Sequence, residues 1–140
     1  MDGLVLTEGA AARAAALSLD FLARFFEAEL TRRPENLEAL AELGHLYTRL
    51  GRYMEGLAVD RQLVAALPED STAHYNLACS LALTGDLDGA FAALERSLDL
   101  GYDDGELIAE DEDLAPLHAD PRFGELLRRL GVELPPPAAG

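Results

Sequence analysis

Between Leu37 and Leu100 the chain nearly repeats itself at a spacing of 34 residues. Leu43, Gly44, Tyr47, Gly51, Tyr53, Gly56 and Leu57 stand opposite Leu77, Ala78, Leu81, Gly85, Leu87, Ala90 and Phe91. Small residues fall opposite small, and large apolar opposite large. A fixed period of this length is the mark of tandem helix–turn–helix units. One such unit cannot bury its apolar face alone, so its neighbours and the chain ends must cover it. What recurs is a set of packing positions rather than an acid, a base or a nucleophile. The chain is therefore expected to offer a surface that holds another molecule.

Composition supports helix and narrows the partners. The hydrophobic fraction of 49% suits a globular chain of 140 residues, and the length suits one domain. Alanine, leucine and glutamate are abundant and β-branched residues scarce, which favours helix throughout. The net charge is −15, and every base is arginine. Such a chain repels phosphate, so neither nucleic acid nor an anionic membrane is expected as a partner. The acidity serves solubility, or attraction to a basic partner. Cys79 stands alone, which rules out an intramolecular disulfide framework. The N-terminus lacks a basic region before its apolar residues, and no apolar run approaches a membrane span. A cytoplasmic, reducing setting is the expectation.

Taken in order, residues 1–9 carry no period and are expected to be flexible. A helix over 10–32 presents Leu17, Phe21, Leu22, Phe25, Phe26 and Leu30 at spacings of three and four, a wide apolar stripe. Pro34 stops it. The two clear repeats cover about 37–70 and 71–100. In the first, Asn36 is the expected N-cap, Leu40, Leu43 and Tyr47 the buried stripe, and Gly51 a left-handed cap. Gly56 should face the preceding helix where a side chain would push the pair apart. In the second, Ser71 is the expected N-cap, Leu77, Ala78 and Leu81 face inward, and Gly85 ends the helix. Asp86 then caps a helix lined by Ala90, Phe91, Leu94 and Leu98. Residues 101–113 include seven acids among thirteen and read as a solvated acidic linker. Asp113–Leu117 reads as one capped turn. Asp120-Pro121 opens a final helix over 121–130 with Phe123, Leu126, Leu127 and Leu130 on one face. Residues 131–140 are expected to be a disordered tail, which leaves 10–130 as a single domain.

These residues resemble the tetratricopeptide-repeat family. Leu40, Leu43, Gly44, Tyr47, Gly51, Tyr53 and Pro68 fit its pattern in the first unit, and Leu77, Ala78, Gly85, Ala90 and Phe91 in the second. His74, Gly56 and Asp60 depart from it, the last where an aromatic is usual. The helix over 10–32 is read as a degenerate preceding unit. The stretch 111–130 resembles a closing segment that follows the last repeat in many bacterial proteins of this kind. The resemblance implies an all-α fold, a right-handed stack of antiparallel helix pairs with capping helices at both ends. It also implies a concave groove lined by the first helix of each pair. Carried over position by position, the groove holds Glu38, Ala41, His45, Thr48 and Arg49, followed by Thr72, Tyr75, Asn76, Cys79 and Leu83. Asn76 matches the asparagine with which some members grip a ligand's carboxylate, but the companion cations are missing, apart from Arg49.

Other chemistry is poorly supported. His45, His74 and Cys79 do not converge as zinc ligands should. Thr84–Glu95 imitates a calcium loop, with Thr84 at the first ligand position, yet Phe91, Leu94 and Leu98 demand a helix there. Cysteine catalysis lacks an orienting group beyond His45. No catalytic residue, metal or cofactor is expected. The chain should be a non-catalytic adaptor that binds a protein or peptide segment through Glu38, His45, Thr48, Arg49, Thr72, Tyr75, Asn76 and Cys79. Two alternatives stand beside it: a small acidic chaperone of the secretion type, and a structural protein that self-associates as a homodimer through Phe21 and Phe25.

Overall fold

A computed structural model describes residues 7–134. All the regular structure in it is helical: α1 (Glu8–Arg32), α2 (Leu37–Arg49), α3 (Tyr53–Ala66), α4 (Ser71–Leu83), α5 (Leu87–Asp99), α6 (Gly105–Glu110), a 3-10 segment η1 (Glu112–Leu117) and α7 (Pro121–Arg129). Of the flexibility expected over 1–9 and the disorder expected over 131–140, the parts at 1–6 and 135–140 lie outside the described residues, and Glu8 and Gly9 already belong to α1. The chain divides into two units, Met1–Val59 and Asp60–Gly140, with the division inside α3.

Starts and stops follow local rules. Side-chain oxygens of Thr7, Asn36, Asp70, Asp86, Asp104 and Asp120 accept from backbone N–H groups in the first turns of the helices they precede. Asp70, not Ser71, caps α4: its Oδ1 accepts from Ala73 N at 2.9 Å, and Ser71 is the first helical residue. A carboxylate brings charge to the positive end of the helix as well as an acceptor, which a hydroxyl does not. Four helices end in one device. Gly51, Gly85, Gly101 and Gly131 have φ of 76°, 90°, 107° and 76°. Each lets the next residue's N–H reach back to the carbonyl of Tyr47, Leu81, Ser97 or Leu127 at 2.8–3.0 Å. Tyr47 and Leu81 thus occupy the same place in the same motif, and both are buried.

In the first unit α1 packs on α2, whose Leu40, Leu43, Leu46 and Tyr47 are buried. Tyr47 Oη donates to Glu27 Oε1 at 3.0 Å, and the Arg52 guanidinium lies 4.5 Å above the Tyr47 ring. A Cβ added to Gly56 would sit 3.3 Å from Thr48 Oγ1, so glycine permits the close approach of α3 to α2. That approach offsets the roughly 0.5–1 kcal/mol a mid-helix glycine costs relative to alanine.

In the second unit α4 packs against α5 on one side and η1 on the other, and α7 touches α5 and α6. Leu94, Ile108, Leu114, Leu117, Phe123 and Leu127 are fully buried there. Burying each of these is worth roughly 1.5–3 kcal/mol. The stretch expected as an acidic linker therefore contains α6 and the start of η1. Asp103, Asp104, Glu106, Glu110 and Glu112 are exposed and Asp111 and Asp113 half-buried, while Ile108 and Ala109 turn inward. His74, where the family pattern has a large residue, places its Nε2 2.8 Å from the Pro68 carbonyl oxygen. Asp60, in the place of the usual aromatic, is buried and accepts a hydrogen bond from Ser80 Oγ.

Candidate interaction surfaces

The face of α2 that carries the expected groove residues is open. Glu38, Glu42, His45 and Arg49 are exposed at spacings of three and four, with Ala41 and Thr48 half-buried beside them. The Thr48 hydroxyl is spent on the Gly44 carbonyl at 3.2 Å. Where α2 faces α1, small residues oppose large rings and leave a hollow of about 570 Å³. Phe25, Phe26, Ala39 and Ala41 supply apolar walls, and Glu29, Glu38, Glu42 and Asn36 are polar. The two phenylalanines meet edge to face, ring centres 5.5 Å apart. Ala39, Glu42 and Phe26 were not among the groove residues expected from sequence. The mismatch between small residues on α2 and paired rings on α1 was visible, but the register of the two helices was not.

The equivalent face of α4 is different. Thr72 is exposed and Asn76 half-buried, but Tyr75 and Cys79 are buried beneath the chain's own C-terminal segment. Tyr75 Oη donates to Asp111 Oδ2 at 2.6 Å, and Cys79 Sγ makes a longer contact of 3.9 Å to the same oxygen. The Tyr102 ring stacks on Tyr75 at 4.4 Å, nearly parallel at 5°. Burial, then the neighbouring Cys79 and the bond to Asp111, push the Tyr75 phenol far above its ordinary range. Burial, then the Asp111 and Asp113 carboxylates, do the same to the Cys79 thiol. A thiol so placed stays protonated and is a poor nucleophile. Two of the eight expected groove residues thus serve to seat the C-terminal segment.

Cys79 Sγ and carboxylate oxygens of Asp111 and Asp113 lie within 4.8 Å of one another. The donor set fits a cation poorly, because Asp111 already accepts the hydrogen bond from Tyr75 Oη and the thiol resists ionisation. His74 turns to Pro68 and Cys79 to Asp111, so these two do not share a centre. In Thr84–Glu95, Asp86 caps α5 through Gly89 N and the helix continues past Glu95.

Along α1, Ala23 is the buried residue, while Leu17 (71%), Phe21 (69%) and Phe25 (59%) stand exposed. Among the described residues no helix is long and apolar enough to cross a membrane.

No family model and no curated protein matches the chain. Solved structures do. MamA 41-end from Desulfovibrio magneticus RS-1 superposes with a TM-score of 0.68 at 19% identity, covering 86% of this chain and 71% of that one. The MamA RS-1 ArsTM double mutant gives 0.61 at 21% identity, with 85% and 71% covered. The fold is thus the all-helical, tetratricopeptide-like repeat fold of those structures.

Proposed function

We propose that the chain is a tetratricopeptide-type adaptor, non-catalytic and cytoplasmic, that binds a peptide or helix of another protein through the expected groove residues of its repeat helices. The observation that carries this is the open row Glu38, Glu42, His45 and Arg49 on α2, beside the apolar hollow. A rigid helix that offers both polar partners and an unfilled apolar wall is suited to recognition. On α4 the working residues are Thr72 and Asn76, since Tyr75 and Cys79 are covered. Affinity capture followed by mass spectrometry tests it, repeated with Arg49→Glu, Asn76→Ala and with His45→Ala. Partners retained equally by all three proteins would refute binding through these faces.

A second reading, self-association through α1, is favoured by the exposure of Leu17, Phe21 and Phe25 on one side of that helix. Light scattering of the chain and of Phe21→Glu, Phe25→Glu tests it. A monomer before and after the change removes it.

A further inference from the structure

We propose that the hollow between α1 and α2 seats a cationic amphipathic helix of a partner protein. The proposal rests on the adaptor function above and specifies the partner's chemistry. The apolar wall comes from Phe25 and Phe26 on α1 and the alanines Ala39 and Ala41 on α2, room enough for large aliphatic side chains. The polar margin carries one sign of charge. Glu38 and Glu42 are exposed, one turn apart, and neither makes a hydrogen bond or ion pair among the described residues. Glu29 on the opposite wall already accepts from Asn36 Nδ2 at 3.3 Å and Arg33 Nη1 at 3.5 Å. Among the described residues no cation lines the hollow.

Like charges four residues apart weaken a helix by themselves. A cation bound between Glu38 and Glu42 turns that repulsion into attraction. The pair's spacing of roughly 5–6 Å matches that of two bases at i and i+4 on a helix laid alongside. A helix with leucines on one stripe and lysines or arginines next to it satisfies the wall and the margin together. A second copy of this chain does not, because it would bring a net charge of −15 and the same acidic margin.

The test uses the full chain and a fluorescein-labelled leucine–lysine peptide of about five helical turns, with fluorescence anisotropy as readout. The comparison peptides are a scrambled sequence of equal composition and a leucine–glutamate analogue. Glu38→Lys, Glu42→Lys is expected to weaken binding roughly tenfold or more, and Phe25→Ser severalfold. Glu106→Lys, Glu110→Lys makes the same change in total charge on the exposed side of α6 and is expected to leave binding within about twofold. Circular dichroism verifies that each variant keeps its helix. Equal weakening by the remote pair, or equal binding of the scrambled peptide, overturns the proposal. Preferred binding of the leucine–glutamate analogue overturns the cationic partner and leaves the adaptor function standing. Failure of every peptide, with light scattering of a dimer that Phe25→Ser dissociates, overturns both.

Discussion

Removing one hydroxyl should loosen the cover on α4. Tyr75→Phe deletes the 2.6 Å bond to Asp111 while keeping the ring that stacks on Tyr102. A hydrogen bond to a charged group contributes about 1.5–3 kcal/mol, at the upper end when the acceptor is left without a replacement donor. Cys79 reports on the same place, since it is 8% exposed beneath Asp111. If labelling by a thiol reagent requires the C-terminal segment to lift, the rate follows the free energy of opening. At 1.36 kcal/mol per factor of ten, the loss corresponds to roughly 10- to 150-fold faster labelling. Asp111→Asn keeps an oxygen for the cap on Asp113 N, so a cycle with Tyr75→Phe isolates the hydroxyl–carboxylate pair. A labelling rate for Tyr75→Phe within about twofold of the parent, at native concentrations of denaturant, would refute the idea that this bond holds the segment down.

Asp70→Ala should destabilise the second unit by about 1 kcal/mol in urea unfolding, whereas Ser71→Ala should be nearly neutral, because only the former removes the α4 cap. Phe123→Ala should cost about 3–5 kcal/mol, since the ring is fully buried, and calorimetry should register it as a lower Tm. Stability should also fall at high pH through Tyr47. Burial first, and its bond to Glu27 second, push its phenol up to about 12 from 10.0. The folded state therefore holds the proton more tightly than the unfolded one. The associated stability is whole below pH 10 and is lost as pH rises from there towards 12. Tyr47→Phe should flatten that limb of a stability–pH curve measured by denaturant unfolding.

Binding tests turn on the same distinction between open and closed faces. On α2 Glu38, His45 and Arg49 are exposed and Thr48 half-buried, whereas on α4 half of the expected groove residues are sealed. The seal is made by residues about thirty positions away in the chain, beyond the reach of any local pattern. Tyr75 and Cys79 occupy positions that the repeat pattern assigns to a ligand, and no spacing rule tells that Asp111 and Tyr102 come to lie on them.

The sequence by itself determined what depends on near neighbours. Period, glycine placement and apolar spacing gave the repeat register, the left-handed stops at Gly51 and Gly85, and the buried stripes of α2, α5 and α7, because backbone sterics and 3.6-residue periodicity act within a few residues. Competing N-cap residues such as Asp70 and Ser71 were harder to rank, since both satisfy the same local rule. Tertiary structure alone decided that Ile108 draws part of an acidic stretch into a helix, that η1 closes over α4, and that two alanines facing two phenylalanines leave α2 a hollow. Those outcomes depend on which distant surfaces exclude water together, and burial is a property of the packed assembly rather than of the residue.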